Sequence, residues 1–244
     1  MSSYFYKSYL QIMEKLNDDK IKENHSDIIE FIRSSYALKT IAYFGMNVPI
    51  SNLNEPFLAV TYSLKWIEHY KAQNYVAIDP VIKEGFSNLL PVEWNAGGAK
   101  NTKLKTFFGE AAEFGVGRSG VTFSVRGMAG DRALFTITSD SSAKEWKKDQ
   151  EFLKRDLQML AYHVHNLVMS SAQAEKRPAP KLAPREIECL KWKASGKTDW
   201  ETAMILGITE KTVRFYLDLA RAKLDATNIT HAVVKALNHN IILM

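Results

Sequence analysis

The chain has 244 residues, 46% of them hydrophobic, with five Trp, ten Tyr and twelve Phe, which excludes a wholly disordered chain and suits one to two domains. A single cysteine excludes an internal disulfide and a cysteine-rich metal site, and no apolar run approaches the roughly 18 residues of a membrane span. A net charge of +5 is compatible with nucleic-acid contact without requiring it. The start, Met1-Ser-Ser-Tyr-Phe-Tyr-Lys-Ser-Tyr-Leu10, lacks the basic-then-apolar layout of a secretory signal, so a cytoplasmic protein without membrane attachment is expected.

In chain order, apolar spacing predicts helices over residues 4–16 and 26–36. Strand-like runs follow over 39–48 and 57–62, bracketed by Pro49, Asn52, Asn54 and Pro56. Helical patterns return over 64–74, 80–89 and 102–114. Residues 121–125 and 132–138 then alternate as a strand pair across a turn at Gly127 to Gly130. A long amphipathic helix over 142–170 opens on Ser142-x-x-Glu145, the pattern of a capping box, and carries Trp146, Leu153, Leu157, Leu160, Val164 and Leu167 at helical spacing. The expected fold class is α+β, an N-terminal α/β/α sandwich around an antiparallel sheet.

Residues 171–184 contain Pro178, Pro180 and Pro184 and no apolar period, which marks a linker. The chain is thereby divided into 1–170, a linker at 171–181, and an all-α domain at 182–244. In that last part Pro184 suits a first helical position, and Ile187, Leu190 and Trp192 supply apolar contacts before Gly196 ends the helix. Thr198-Asp-Trp-Glu201 is a second capping box, opening a short helix (Ala203, Ile205, Leu206) that stops at Gly207. After the turn Gly207-Ile-Thr209 a longer helix carries Val213, Leu217, Ala220 and Leu224, and a fourth spans about 230–237. Two helices joined by a tight glycine-containing turn form a helix-turn-helix pattern.

In such a unit the start of the second helix faces base edges, here Thr209, Lys211, Thr212 and Arg214. Arg214 is the candidate for direct readout, because a guanidinium grips guanine O6 and N7 with two hydrogen bonds. Lys197 and Thr198 stand at a helix start, where N–H groups and a cation favour phosphate. Periodicity alone fits a protein-binding helical bundle equally well. The residues Leu182, Arg185, Glu186, Glu188, Leu190, Trp192, Ala194, Gly196-Lys197-Thr198, Glu201, Ala203, Ile205-Leu206-Gly207-Ile208-Thr209, Lys211-Thr212-Val213, Phe215 and Lys223-Leu224 resemble the DNA-binding domain of LuxR-type transcription regulators over nearly all of 182–237. There are departures from the family pattern. Ala183 replaces a capping Ser or Thr, Thr202 an aliphatic, Tyr216 a His, Asp218 an Asn and Ile229 an Arg. Asp218 would repel a phosphate backbone. Cys189, inside the first helix, reads as a small core residue.

The 1–170 stretch lacks the acidic pair and phospho-acceptor pattern of a receiver domain. It carries Tyr62, Trp66 and Tyr70, each four apart, then Asp79-Pro80 and Trp94. Trp66 and Tyr70 share a helix face, and each has an apolar body with one hydrogen-bonding tip. Two or three donors with one carboxylate acceptor suit a small ligand that has carbonyl oxygens and an amide N–H. The same aromatics are equally core builders, and Asp79-Pro80 is equally a helix cap followed by proline at the first helical position.

This spacing, with the later Gly120, resembles the autoinducer-binding domain of quorum-sensing LuxR-type receptors. With Glu186, Leu190 and Gly196, all nine hallmark positions of the family are filled. The resemblance implies an N-acyl-homoserine lactone as ligand and no cofactor. Trp66 would donate to the lactone carbonyl and Asp79 would accept the ligand amide N–H. Tyr62 and Thr136 would bond the acyl carbonyl, Tyr70 and Trp94 would wall the pocket, and Gly120 would keep a strand close to it. Tyr43, Phe57, Val81, Ile82 and Leu134 are the expected acyl-chain contacts. The resemblance further implies a homodimer on an inverted repeat of promoter DNA, with part of its surface on helix 142–170, and RNA polymerase as a partner. The alternatives are a LuxR-type regulator that needs no ligand or senses another molecule, and a small-molecule enzyme fused to a DNA-binding tail.

Gly115-Val-Gly117-Arg-Ser-Gly120 matches G-x-G-x-x-G, but it follows a helix and opens a strand, the reverse of a dinucleotide-binding turn. The six histidines are scattered, and His163 and His165 lack metal-ligand spacing, so no catalytic apparatus is expected.

Overall fold

The computed structural model describes residues 2–17, 25–48, 56–99, 101–127, 130–141, 143–171 and 180–243. The chain forms two compact units, Met1–Arg126 with Asp131–Ala174, and Glu175–Met244 with Gly127–Gly130. Ser142, residues 128 and 129, and most of the proline-rich linker lie outside the described residues, and with them the first capping box and the hairpin turn.

The first unit is an α/β/α sandwich. Strands β1 (Thr40–Met46), β2 (Phe57–Val60), β3 (Val92–Asn95), β4 (Ser119–Arg126) and β5 (Arg132–Ser139) form one antiparallel sheet in the order β2-β1-β5-β4-β3. Helices α1 (Ser2–Leu16), α2 (His25–Ser35) and α6 (Ala143–Ser171) cover one face; α3 (Leu64–Ala72), α4 (Pro80–Ser87) and α5 (Thr102–Glu113) lie against the other. With both faces covered, the central strands β4 and β5 are buried almost throughout rather than on alternate residues. Strand β3 is absent from the sequence reading: four residues with one aromatic give too short an alternation to register.

The α1–α2–α6 face holds the larger core, including Ile28, Ile32, Phe123, Phe135 and, from α6, Leu153, Leu157, Leu160, Val164 and Leu167 as their spacing predicts. The Tyr43 hydroxyl shares a 2.7 Å hydrogen bond with His165 Nδ1, and His165 Nε2 lies 2.6 Å from Asp131 Oδ2, all three residues being buried. This chain ties β1, α6 and the start of β5 together, so His165 has a structural partner on each side. Among the described residues no group of His, Cys, Asp and Glu could hold a metal, and no helix is long and apolar enough to cross a membrane.

The second unit is all-helical: α7 (Pro184–Ala194), α8 (Asp199–Leu206), α9 (Glu210–Lys223) and α10 (Ile229–Asn238). Its core joins Cys189, Leu190, Val213, Leu217, Ala220, Leu224, Ala232 and Ala236. The Thr198–Glu201 capping box forms: Glu201 N–H donates to Thr198 Oγ1 at 3.1 Å and Thr198 N–H to Glu201 Oε2 at 2.8 Å. Gly207 ends α8 at φ 65°, a left-handed conformation that glycine adopts without strain. Thr202, standing where an aliphatic is usual, is buried with its hydroxyl donating to the Thr198 carbonyl, 2.8 Å away. Ile205, one of the three apolar residues that mark this helix, is 46% exposed. The apolar residues of α8 do not gather on one side, so its pattern does not say which side faces inward.

At the start of α7 only half of a capping box exists. Glu186 reaches back to Ala183 N–H at 2.8 Å, but Ala183 has no side-chain acceptor to return the bond. Its backbone, at φ −72° and ψ 154°, already has the cap conformation. Ala183→Ser is therefore expected to stabilise this unit by about 0.5–1 kcal/mol, read as a rise in the midpoint of its thermal transition.

Candidate functional site

Strand β1 alternates, so Ile41 and Tyr43 enter the larger core while Ala42 and Phe44 face α3, α4 and α5. On β2, Leu58 and Val60 take the same side as Ala42 and Phe44, and on β5 Leu134 and Thr136 join them. Between this half of the sheet and the three helices lies a cavity of about 370 Å³. Tyr62, Trp66, Tyr70, Asp79, Trp94 and Thr136 all line it, together with Val81, Ile82, Phe107, Phe108 and Val116. The five residues singled out along the chain, and Thr136, which the resemblance adds, are brought by the fold to one void.

Two of the expected acyl-chain contacts are corrected. Tyr43 is fully buried in the opposite core, bonded to His165, and Phe57 packs against that same core. Each is one residue out of phase with the cavity side of its strand, and a one-residue step reverses the face. Their neighbours Phe44 and Leu58, with Ala42, Val60, Phe107 and Phe108, are lining residues the sequence reading missed. The period of two contained that information for β1 and β2, once it was known which face held the cavity.

The polar tips differ in what occupies them. Ser63 caps α3, and Trp66 is 2% exposed within a cage of Tyr70, Tyr75, Phe107 and Phe114 rings. Its indole N–H makes no hydrogen bond among the described residues. Asp79 caps a helix and also stands at the cavity wall. Its Oδ1 caps α4 by accepting Val81 N–H at 2.8 Å, while Oδ2 accepts the Tyr70 hydroxyl at 2.7 Å beside the cavity. Burial pushes the Asp79 carboxyl above its ordinary value, opposed by the bonds from Tyr70, Val81 and Ile82. Burial, with the Asp79 charge nearby, pushes the Tyr62 and Tyr70 phenols far upward, so both stay neutral.

On the sheet side Trp94 Nε1 donates to Thr122 Oγ1 at 3.2 Å, and Thr122 Oγ1 lies 3.0 Å from Thr136 Oγ1. Gly120 is the cross-strand partner of Trp94, and a Cβ there would lie 2.5 Å from the indole ring and against the Ile137 carbonyl. Only glycine lets that ring lie across the strand.

In the second unit, Thr209 caps α9 by accepting Thr212 N–H at 3.1 Å, and its hydroxyl lies 2.7 Å from that of Thr212. Lys211 is exposed. Arg214 is 64% exposed, and its guanidinium meets Asp199 at 3.1 Å and Glu210 at 2.8 Å. Lys197 pairs with Glu201 at 3.3 Å. The same face shows Phe215, 57% exposed, which charge-based reading passed over. Asp218 is exposed and meets Arg221 at 3.4 Å.

Residues 22–168 match the family described as autoinducer binding domain, and residues 180–236 match bacterial regulatory proteins, luxR family. The chain is 40% identical over 182 residues to the transcriptional activator protein RaiR of Rhizobium etli, covering 74% of this chain and 75% of RaiR. This chain belongs to the LuxR family of transcription regulators. LuxR-type relatives include the activator VanR of Vibrio anguillarum, 29% identical over 198 residues, covering 80% of this chain and 81% of VanR. The LuxR-type fold is shared with the crystal structure of Escherichia coli SdiA, at a TM-score of 0.62 and 24% identity over 98% of this chain and all of SdiA. It is shared also with CepR2 of Burkholderia cenocepacia, at a TM-score of 0.52 and 20% identity over 68% of this chain and 98% of CepR2. As a LuxR-type protein it is a regulator and not an enzyme, with an autoinducer-binding domain and a DNA-binding helix-turn-helix.

Proposed function

We propose that the protein is a quorum-sensing regulator whose 1–170 domain binds an N-acyl-homoserine lactone. In this reading residues 171–181 are a linker, and the 182–244 domain binds an inverted repeat of promoter DNA as a homodimer. The observation that carries the ligand assignment is the convergence of two donor-only indoles, two neutral phenols, one hydroxyl and one carboxylate on a single, mostly apolar cavity. An acyl-homoserine lactone has the matching set: a lactone carbonyl for Trp66, an amide N–H for Asp79, an acyl carbonyl for Tyr62 and Thr136, and an alkyl chain for Phe44, Leu58 and Leu134. Tyr70 holds the carboxylate and Trp94 walls the pocket. The Trp94 indole can only donate, and where Thr122 donates its hydroxyl to Thr136, the Thr136 hydroxyl is left to donate to the acyl carbonyl. CepR2, which shares the fold, is described as N-acylhomoserine lactone dependent.

On DNA, Lys197 and Thr198 serve phosphate, Thr209 and Thr212 hold the start of α9, and Lys211 and Arg214 reach base edges. Phe215 offers an apolar contact to a thymine methyl. Arg214 must exchange its bonds to Asp199 and Glu210 for guanine, which favours guanine over bases that offer no bidentate acceptor. RNA polymerase is the partner of the bound dimer.

A ligand bound only by the folded state stabilises it by about 2.7 kcal/mol at a hundredfold excess over Kd. Thermal unfolding of the full chain with a panel of acyl-homoserine lactones is expected to show a rise in midpoint for at least one. An unchanged midpoint across the panel would instead favour the regulator that needs no ligand or senses another molecule.

A further inference from the structure

Helix α4 carries Asp79 at its cap and, six residues on, a buried glycine, Gly85. Those six residues advance about 9 Å along the helix, so Gly85 stands well away from the polar end of the cavity. A Cβ built on Gly85 would lie 2.8 Å from Leu134 Cδ2, 3.0 Å from Leu134 Cδ1 and 3.1 Å from Thr122 Cγ2. Leu134 is 2% exposed and lines the cavity, directly opposite Phe44 on β1. The missing methyl of Gly85 is therefore what lets the Leu134 side chain withdraw toward α4. On the other flank of Leu134 its β4 partner is Ser124, whose buried hydroxyl has no hydrogen-bond partner among the described residues.

We propose that Gly85, acting through Leu134, determines how long an acyl chain the cavity accepts. A side chain at 85 meets chiefly the tips of Leu134, the flexible end of a side chain, rather than backbone. Close-packed surroundings leave the displaced tips little room except the cavity. The void then shortens at the apolar wall while Trp66 and Asp79 at the polar end are untouched. Alanine also suits a helix interior better than glycine, so the substitution trades cavity depth rather than α4. Gly85 touches no ligand in this scheme; it is a positioning residue for Leu134.

The inference rests on the lactone reading of the cavity, and one experiment separates the two. The intact protein, Gly85→Ala, Leu134→Ala and the double variant are each titrated with butanoyl-, hexanoyl-, octanoyl- and decanoyl-homoserine lactone, with thermal midpoint and affinity as readouts. Gly85→Ala is expected to move the preferred chain shorter, lowering the ratio of long-chain to short-chain affinity at least tenfold. Leu134→Ala moves the preference longer, and because Gly85 acts through the Leu134 tips that this variant lacks, the double variant matches Leu134→Ala. An unchanged order of chain lengths in folded Gly85→Ala overturns the proposal. Should that variant fail to fold, Leu134→Ala alone must still move the preference longer, and an unchanged order there overturns the proposal; a double variant that prefers shorter chains than Leu134→Ala would show Gly85 acting other than through Leu134 and overturns it too. If the unsubstituted protein responds to none of the four, the lactone reading fails and the proposal falls with it.

Discussion

Replacing Asp79 by asparagine is expected to weaken lactone binding by about 2–3 kcal/mol, roughly 30–150-fold in Kd, while α4 stays folded. Asparagine keeps the oxygen that caps α4 through Val81 N–H. It replaces the other oxygen, which now accepts the Tyr70 hydroxyl, with an amide NH2 group. Tyr70 can turn its hydroxyl to accept from that group, but the ligand amide N–H meets a donor and is left buried without a partner. The measurement is the lactone-induced rise in thermal midpoint, which should fall to about a third or less at ligand concentrations about a hundredfold above the Kd of the unsubstituted protein. A full response in the asparagine variant would remove Asp79 from the binding site.

The same carboxyl should make binding depend on pH. Its value in the folded protein is raised from 3.8, chiefly by burial. Without ligand, the native state therefore holds the proton more tightly than the unfolded chain. The stability this contributes is present below the ordinary Asp value and is lost as pH rises through the raised one. The ligand N–H favours the ionised form, so binding expels the proton, and affinity should climb with pH through that window and level off above it. The asparagine variant should show no such climb.

A second large effect is expected at Lys223. Glu186 is 1% exposed and accepts three bonds, one from Ala183 N–H and two from Lys223 Nζ at 2.7 and 2.9 Å. Lys223→Met leaves the carboxylate buried with only the amide, a loss of about 3 kcal/mol, at the low end of the range because the lysine side chain is 41% exposed. Amide exchange in α7 and α9 of the intact chain should accelerate by roughly a hundredfold, with α2 and α6 unchanged. Adding Glu186→Gln should recover most of the loss, since glutamine still accepts from Ala183 and carries no charge. If the double variant is as unstable as Lys223→Met, the ion pair is not the cause.

The local patterns of this chain were sufficient for its helices. Capping residues, prolines at first helical positions and glycines in the left-handed region act within one turn, and α7 and α8 begin and end where those signals stand. The family resemblance that Trp66, Tyr70, Asp79 and Trp94 carry marked residues that share one void, whereas their spacing alone also suited a packed core. Which side of each strand meets that void was not legible. Tyr43 and Phe44 are both aromatic neighbours on β1, and only the helices on either face of the sheet decide that Tyr43 bonds His165 while Phe44 lines the cavity. The pairing of Arg214 with Asp199 and Glu210, and the empty place at Gly85 that Leu134 fills, belong to the same class. Backbone preference is a property of a few consecutive residues and can be read along the chain. Packing is a property of groups that meet only after the chain has folded, and it was decided there.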